Sequence, residues 1–223
     1  MANSSKKWGL YVFRLTAILA FFTLAALIST KLVYFFGVVN AKMNGMLIWV
    51  VGGMVALGHL SADFVSGMVH FLCDNFGSEK TPLIGKYFIK EFRTHHTDPE
   101  DITRHGFVET NGSNCFVALP IFIFALVVLN FESRFGYLLA TYFLFLSMSV
   151  FATNQIHKWA HTENLQGFPV ILQKARLIIS PKNHNVHHAA PYDKYYCITT
   201  GWLNPLLAKI GFFEKLYNLL KRC

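Results

Sequence analysis

Four stretches of this chain are apolar enough, and nearly long enough, to cross a bilayer. They are residues 15–30 (extended backwards by 10–13 around Arg14), 46–71, 115–131, and 137 to about 156. Each approaches the ~20 residues that span the hydrocarbon layer. Arg14 lies near one end of its run, where its side chain can reach the headgroups. A further run, 168–179, carries Lys174 and Arg176 and is too short to cross, which predicts an interfacial amphipathic helix. Lys6 and Lys7 precede the first run, so a signal peptide is the alternative reading there, although no small-x-small cleavage site follows. The pattern predicts an all-α integral membrane protein with four transmembrane helices, forming a single domain over 1–223.

The second run is not apolar all round. His59, Asp63, Ser66, Gly67, His70 and Asp74 recur at helical spacing. At 100° per residue they fall within an arc of roughly 100°. A polar face on a membrane helix must look into protein or a cavity. His70 and Asp74 are one turn apart and can reach one metal. The plainer alternative is a set of hydrogen-bonded polar residues that help helices associate. For His59 and Asp63 the two readings stand level.

Composition agrees with membrane embedding. The chain is 53% hydrophobic and 14% charged, against about 25% charged in soluble domains. The net charge of +8 does not indicate nucleic acid, because no basic run with interleaved aromatics is present. Lysines and arginines instead fall between the apolar runs: three through Arg14, two in 30–45, five in 72–114, one in 132–136 and nine after Ile156. An even, four-helix topology puts the N-terminus, the loop between helices two and three, and the tail on one side. The positive-inside rule makes that side cytosolic. Cys73, Cys115, Cys197 and Cys223 form no C-x-x-C pair and read as reduced thiols, and Cys223, as the final residue, makes no prenylation box.

Nine of the ten histidines map to the cytosolic side, His70 closing the second run at that side; only His59 lies inside a span. His95 and His96 sit in the loop after helix two. His157 and His161 are i, i+4 after the fourth run, and His184, His187 and His188 follow in the tail. With His70 and Asp74 these make eight imidazoles and one carboxylate, too many for one tetrahedral zinc. They suit two irons with imidazole donors and open positions for oxygen. H-E-x-x-H and G-x-S-x-G are absent, which argues against zinc proteases and serine lipases. A metal transporter would keep its ligands on broken helices at the membrane midplane, whereas here they lie at helix ends, in a cytosolic histidine-rich cap. Spacing alone does not separate desaturation from hydroxylation.

The chain resembles the Kua-type plasmanylethanolamine desaturases, which make the vinyl ether bond of plasmalogens. The resemblance rests on ADFVSGMVH (62–70), FRTHHTDP (92–99), ITRHGFVETNGSNC (102–115), TNQIHKWAH (153–161) and HNVHHAAPYDKYYCITTGWLN (184–204). It covers about two-thirds of the chain. It implies a di-iron lipid desaturase that uses O2, a phospholipid substrate and an external electron donor such as cytochrome b5. No G-x-G-x-x-G fingerprint is present for a flavin or nicotinamide of its own. The implied membrane is the endoplasmic reticulum in a eukaryote, with the active site cytosolic. The implied metal ligands are His70, Asp74, His95, His96, His157, His161, His184, His187 and His188. His59, Asp63 and His105 are candidates for contacts behind the ligands or with substrate; His105 could equally cap its loop.

The chain departs from the family pattern at two places. It has Gly106 where the family has aspartate after Arg104-His105, and Lys174-Ala175-Arg176 where a histidine is frequent. The second departure is similar to plant plastid relatives that desaturate a phospholipid-bound palmitate, so such an acyl substrate is the alternative. Asn111 to Ser113 matches a glycosylation sequon, but a cytosolic loop would not meet the glycosylation machinery. Trp159, Tyr195, Tyr196 and Trp202 read as interfacial aromatics.

Overall fold

The computed structural model describes residues 2–82 and 84–222, with side chains for 8–82, 84–85 and 88–222. Cys223 therefore lies outside the described residues, while Cys73, Cys115 and Cys197 are free thiols. The described residues are helical or irregular, with no strand among them. In order they form α1 (Ala2–Lys42), α2 (Leu47–Asn75), a π-turn (Gly85–Ile89) running into α3 (Lys90–Thr97), α4 (Asp101–Arg104) and α5 (Phe107–Val128). These are followed by α6 (Arg134–His161), α7 (Phe168–Lys174), α8 (Pro181–His184), α9 (Asn204–Lys209) and α10 (Phe212–Leu220). Among the described residues, four helices are long and apolar enough to cross a membrane: Trp8–Lys42 of α1, then α2, α5 and α6.

Three boundaries differ from the sequence reading. α1 does not stop at Thr30 but continues to Lys42. Lys31 interrupts the hydropathy without breaking the helix: its Nζ lies 5.4 Å from the centroid of the Phe131 ring, and Lys42 Nζ donates to the Glu132 carbonyl at 2.8 Å. The connection to α2 is a tight turn with Asn44 and Gly45 at positive φ. α5 begins at Phe107 rather than at Cys115, so Asn111 of the sequon is a buried helical residue, not part of a loop. The polar stretch at its start hid this helix because its hydrogen bonds are local. Thr110 Oγ1 donates to Gly106 O (3.1 Å), and Asn111 Nδ2 donates to Phe107 O (3.0 Å). The apolar run at 168–179 yields only the seven-residue α7, which ends where Arg176 takes a positive φ.

The chain forms two compact units, Met1–Ala62 with Gly106–Asn154, and Asp63–His105 with Gln155–Cys223. In the first, α1 packs on α5 and α6 around Phe21, Phe122 and Phe151. Polar links tie its helices, as expected without water: Tyr137 Oη donates to Leu32 O (2.9 Å), Tyr142 Oη to Ser61 Oγ (3.1 Å), and Asn114 Nδ2 to Val150 O (2.9 Å). His59 Nδ1 lies 2.9 Å from Ser149 Oγ. The second unit has an aromatic core of Phe71, Tyr196, Cys197, Leu207 and Phe213. It carries all nine residues expected to ligate metal.

Candidate metal centre

Each donor reaches the centre for a local reason. His70 and Asp74 sit one turn apart near the end of α2. His95 and His96 occupy the last turn of α3, which follows the π-turn directly. His157 and His161 share one face of the last turns of α6. His184 ends α8, a single turn begun by Pro181 and capped by Ser180, whose side chain accepts from Asn183 N. The chain then turns again, with His187 N donating to His184 O at 2.9 Å, and brings His187 and His188 into place.

The nine side chains gather as two groups, each with its donor atoms within 4.8 Å of one another: His95, His157, His161, His184 and His188, and His70, Asp74, His96 and His187. In the first, Nε2 of His95 lies 2.9 Å from that of His157, 3.4 Å from that of His184 and 2.8 Å from that of His188. His184 Nε2 is in turn 2.9 Å from His157 Nε2 and 3.0 Å from His188 Nε2. The His161 ring is 4.5 Å from His95, and its Nε2 is buried without a hydrogen bond.

Such a cluster cannot be held by hydrogen bonds. A neutral imidazole nitrogen is either a donor or an acceptor and has one proton or one lone pair to offer. Four nitrogens can therefore satisfy at most two of their five contacts; the rest would face lone pair to lone pair or proton to proton. A cation accepts all the lone pairs at once. Metal–imidazole bonds of about 2.1 Å put neighbouring nitrogens about 3.0 Å apart at right angles and about 3.4 Å apart in a tetrahedron. The observed 2.8–3.4 Å matches that spacing.

In the second group Asp74 Oδ2 is the hub, 3.0 Å from His96 Nε2 and 3.5 Å from the Nε2 atoms of His70 and His187. His70 Nδ1 donates to Tyr196 O (3.2 Å) and His187 Nδ1 donates to Lys194 O (2.8 Å). A carbonyl can only accept, so each ring carries a proton on Nδ1 and leaves its Nε2 as the atom that faces Asp74. Both Nε2 atoms and Asp74 Oδ1 are buried without a hydrogen bond. An orphaned carboxylate oxygen beside orphaned lone pairs is the donor chemistry of a metal ion.

Burial sets the electrostatics. It lowers the pKa of His95 and of His184 well below the ordinary imidazole value, with neighbouring imidazoles such as His161 adding to the effect. His188 falls to about 3, chiefly through burial and then His161, while Asp74 opposes the shift. His95, His184 and His188 thus present neutral rings, the form that ligates.

The three remaining candidates stand outside both groups. His59 pairs with Ser149. His105 Nε2 lies 3.4 Å from Asp101 Oδ2, while its carbonyl accepts from Lys158 Nζ. Asp63 is buried and accepts from the backbone amides of Thr200, Gly201 and Leu203. Sequence reasoning passed over Arg93, which donates to Cys73 O (3.3 Å), Phe76 O (3.3 Å) and Gly77 O (3.0 Å) and so fastens α3 to the end of α2. Its place two residues before His95 was the available signal. Tyr196, read as an interfacial aromatic, is buried with its ring 4.9 Å from His187.

Comparison with known proteins identifies the family of the chain. A lipid desaturase domain is matched over residues 59–223. The chain is 45% identical to plasmanylethanolamine desaturase of Myxococcus xanthus over 173 residues, covering 77% of this chain and 61% of that protein. It is 44% identical to plasmanylethanolamine desaturase 1 of Mus musculus, covering 77% and 65%. It is 34% identical to the chloroplastic fatty acid desaturase 4 of Arabidopsis thaliana, covering 71% and 48%. The chain thus spans less than two-thirds of the length of these curated relatives. No solved structure matches it significantly.

Proposed function

The chain belongs to the lipid desaturase family, and on that premise we propose that it is a di-iron desaturase of plasmanyl ether phospholipids that forms the vinyl ether bond of plasmalogens. The observation that carries the reading is the gathering of eight imidazoles and one carboxylate into two donor groups, five of the nine residues buried and the other four half-buried. His95, His157, His161, His184 and His188 hold one iron; His70, Asp74, His96 and His187 hold the other. Two bound irons, with O2, supply the oxidising power to remove hydrogen from an alkyl carbon, which side chains lack. The overall change takes two hydrogens from adjacent carbons beside the ether oxygen. With O2, two further electrons and two protons, it yields the double bond and two waters. The electrons come from an external donor such as cytochrome b5, docked on the basic cytosolic face, and the membrane is that of the endoplasmic reticulum in a eukaryotic cell.

The protein's own contribution is placement. The carbonyls of Lys194 and Tyr196 place the Nδ1 protons of His187 and His70, and burial holds His95, His184 and His188 neutral. The rival substrate is a phospholipid-bound acyl chain, favoured by Lys174-Ala175-Arg176 and by the similarity to fatty acid desaturase 4. The higher identity to two plasmanylethanolamine desaturases favours the ether lipid. Expression in cells lacking their own plasmalogen desaturase decides between them. Acid-labile vinyl ethers are expected, and are expected to vanish with His187→Ala. A new acyl double bond without vinyl ethers would overturn the ether assignment and keep the iron chemistry.

A further inference from the structure

The polar stripe of α2 does two jobs, and the first serves the second. Its last members, His70 and Asp74, belong to the second donor group. Asp63, Ser66 and Gly67 instead hold the tail segment that follows the final histidines. Asp63 Oδ1 accepts from Thr200 N (2.7 Å) and Gly201 N (2.9 Å), and Oδ2 accepts from Leu203 N (3.2 Å). Ser66 Oγ accepts from Ile198 N at 3.1 Å and donates to Asp63 O at 2.7 Å. Gly67 permits the approach: a Cβ there would lie 2.6 Å from Cys197 Sγ. Asn204 closes the loop on itself, accepting from Cys197 N (2.9 Å) and donating to Cys197 O (2.8 Å).

The segment held in this way carries the two carbonyls that orient His70 and His187. Between those carbonyls lies Tyr195 with φ of 64°, a left-handed conformation that a bulky residue keeps only when its surroundings impose it. The bonds from Ser66 and Asp63 to Ile198, Thr200, Gly201 and Leu203 fall just after that point. Asp63 itself is about 10 Å along the helix axis from His70 and does not reach the donors.

We infer that Asp63, with Ser66, is a positioning residue for the second metal alone: by fixing the turn at 198–203 it sets the carbonyls of Lys194 and Tyr196 that aim His187 and His70. The first donor group has no such support from the tail carbonyls; Nδ1 of His95 and of His184 is buried without a hydrogen bond. The two metals are therefore inequivalent, and one of them depends on a carboxylate that ligates nothing. The inference rests on the two-metal reading above.

The test is metal titration of the full chain in lipid nanodiscs, stripped of metal and refilled with Co2+, read by visible absorption and by metal analysis. His96→Ala and His161→Ala, each lacking one donor of one group, provide single-metal reference spectra. Asp63→Asn, which keeps the side-chain volume and loses one acceptor oxygen, is expected to weaken the second metal 10–100-fold, the range seen when a residue behind a ligand is changed, with the first metal unchanged. Ser66→Ala should weaken the same metal less. Tyr196→Phe should bind both as the parent does, because the carbonyl and not the phenol orients His70. Parental affinity for both metals in Asp63→Asn, or equal weakening of both, overturns the inference. If Asp63→Asn cannot be purified, Ser66→Ala decides: unselective weakening, or none, overturns it. A parent chain that binds fewer than two metals would instead defeat the two-metal reading.

Discussion

Replacing Arg93 by alanine should weaken both metals together. Its guanidinium makes three bonds to the carbonyls at the end of α2, at 3.0–3.3 Å. Hydrogen bonds involving a charged group contribute about 1.5–3 kcal/mol each. Two of them are long and the third, to Gly77, is exposed, so about 1 kcal/mol each is the working figure. Water replaces roughly one of the three in the variant, leaving about 2 kcal/mol of docking lost between α3 and α2. α3 carries one donor of each group, His95 and His96. Metal binding to the variant must redock that helix, so affinity falls by up to about 30-fold. Competition with a chromophoric chelator measures it. Arg93→Lys should recover only part, because an ammonium cannot spread over three carbonyls as the guanidinium fork does. Affinities within twofold of the parent for both metals in Arg93→Ala would refute the reasoning.

Four further substitutions separate packing from chemistry. A Cβ at Gly58 would lie 2.8 Å from Leu146 N and 3.1 Å from Tyr142 O, both backbone atoms of α6, so Gly58→Leu should destabilise by at least the ~1–3 kcal/mol of overpacking. Gly52→Leu, with nothing within 4 Å, should leave the thermal unfolding midpoint nearly unchanged, and equal midpoints for the two variants would contradict the helix contact. His59→Ala and His105→Ala should retain the parental metal content, since neither belongs to a donor group; loss of one metal in either would require a revised ligand set.

What could be read from the sequence was what helical period and local spacing determine. His157 and His161 at i, i+4, and His70 with Asp74 at the same spacing, already share faces before any tertiary contact forms. The apolar runs identified four spans because lipid leaves a helix no alternative way to satisfy its backbone. The division of the nine residues into five and four was not legible, because adjacent residues separate: His95 goes to one group and His96 to the other, as do His188 and His187. The start of α5 was hidden because Thr110, Asn111 and Asn114 look like loop residues until their carbonyl partners are known. Asp63 read as a contact either behind the ligands or with substrate because the partners of its oxygens are main-chain amides some 140 residues away, which side-chain patterns do not encode.

The central claim is that this chain holds two irons in two unlike sites. Metal analysis of the chain purified from its membrane, alongside the desaturase activity of the same sample, tests it most directly. The account predicts two irons per chain, falling to one in His161→Ala and in His96→Ala, with activity lost in both. Active protein carrying one zinc per chain and no iron would contradict it.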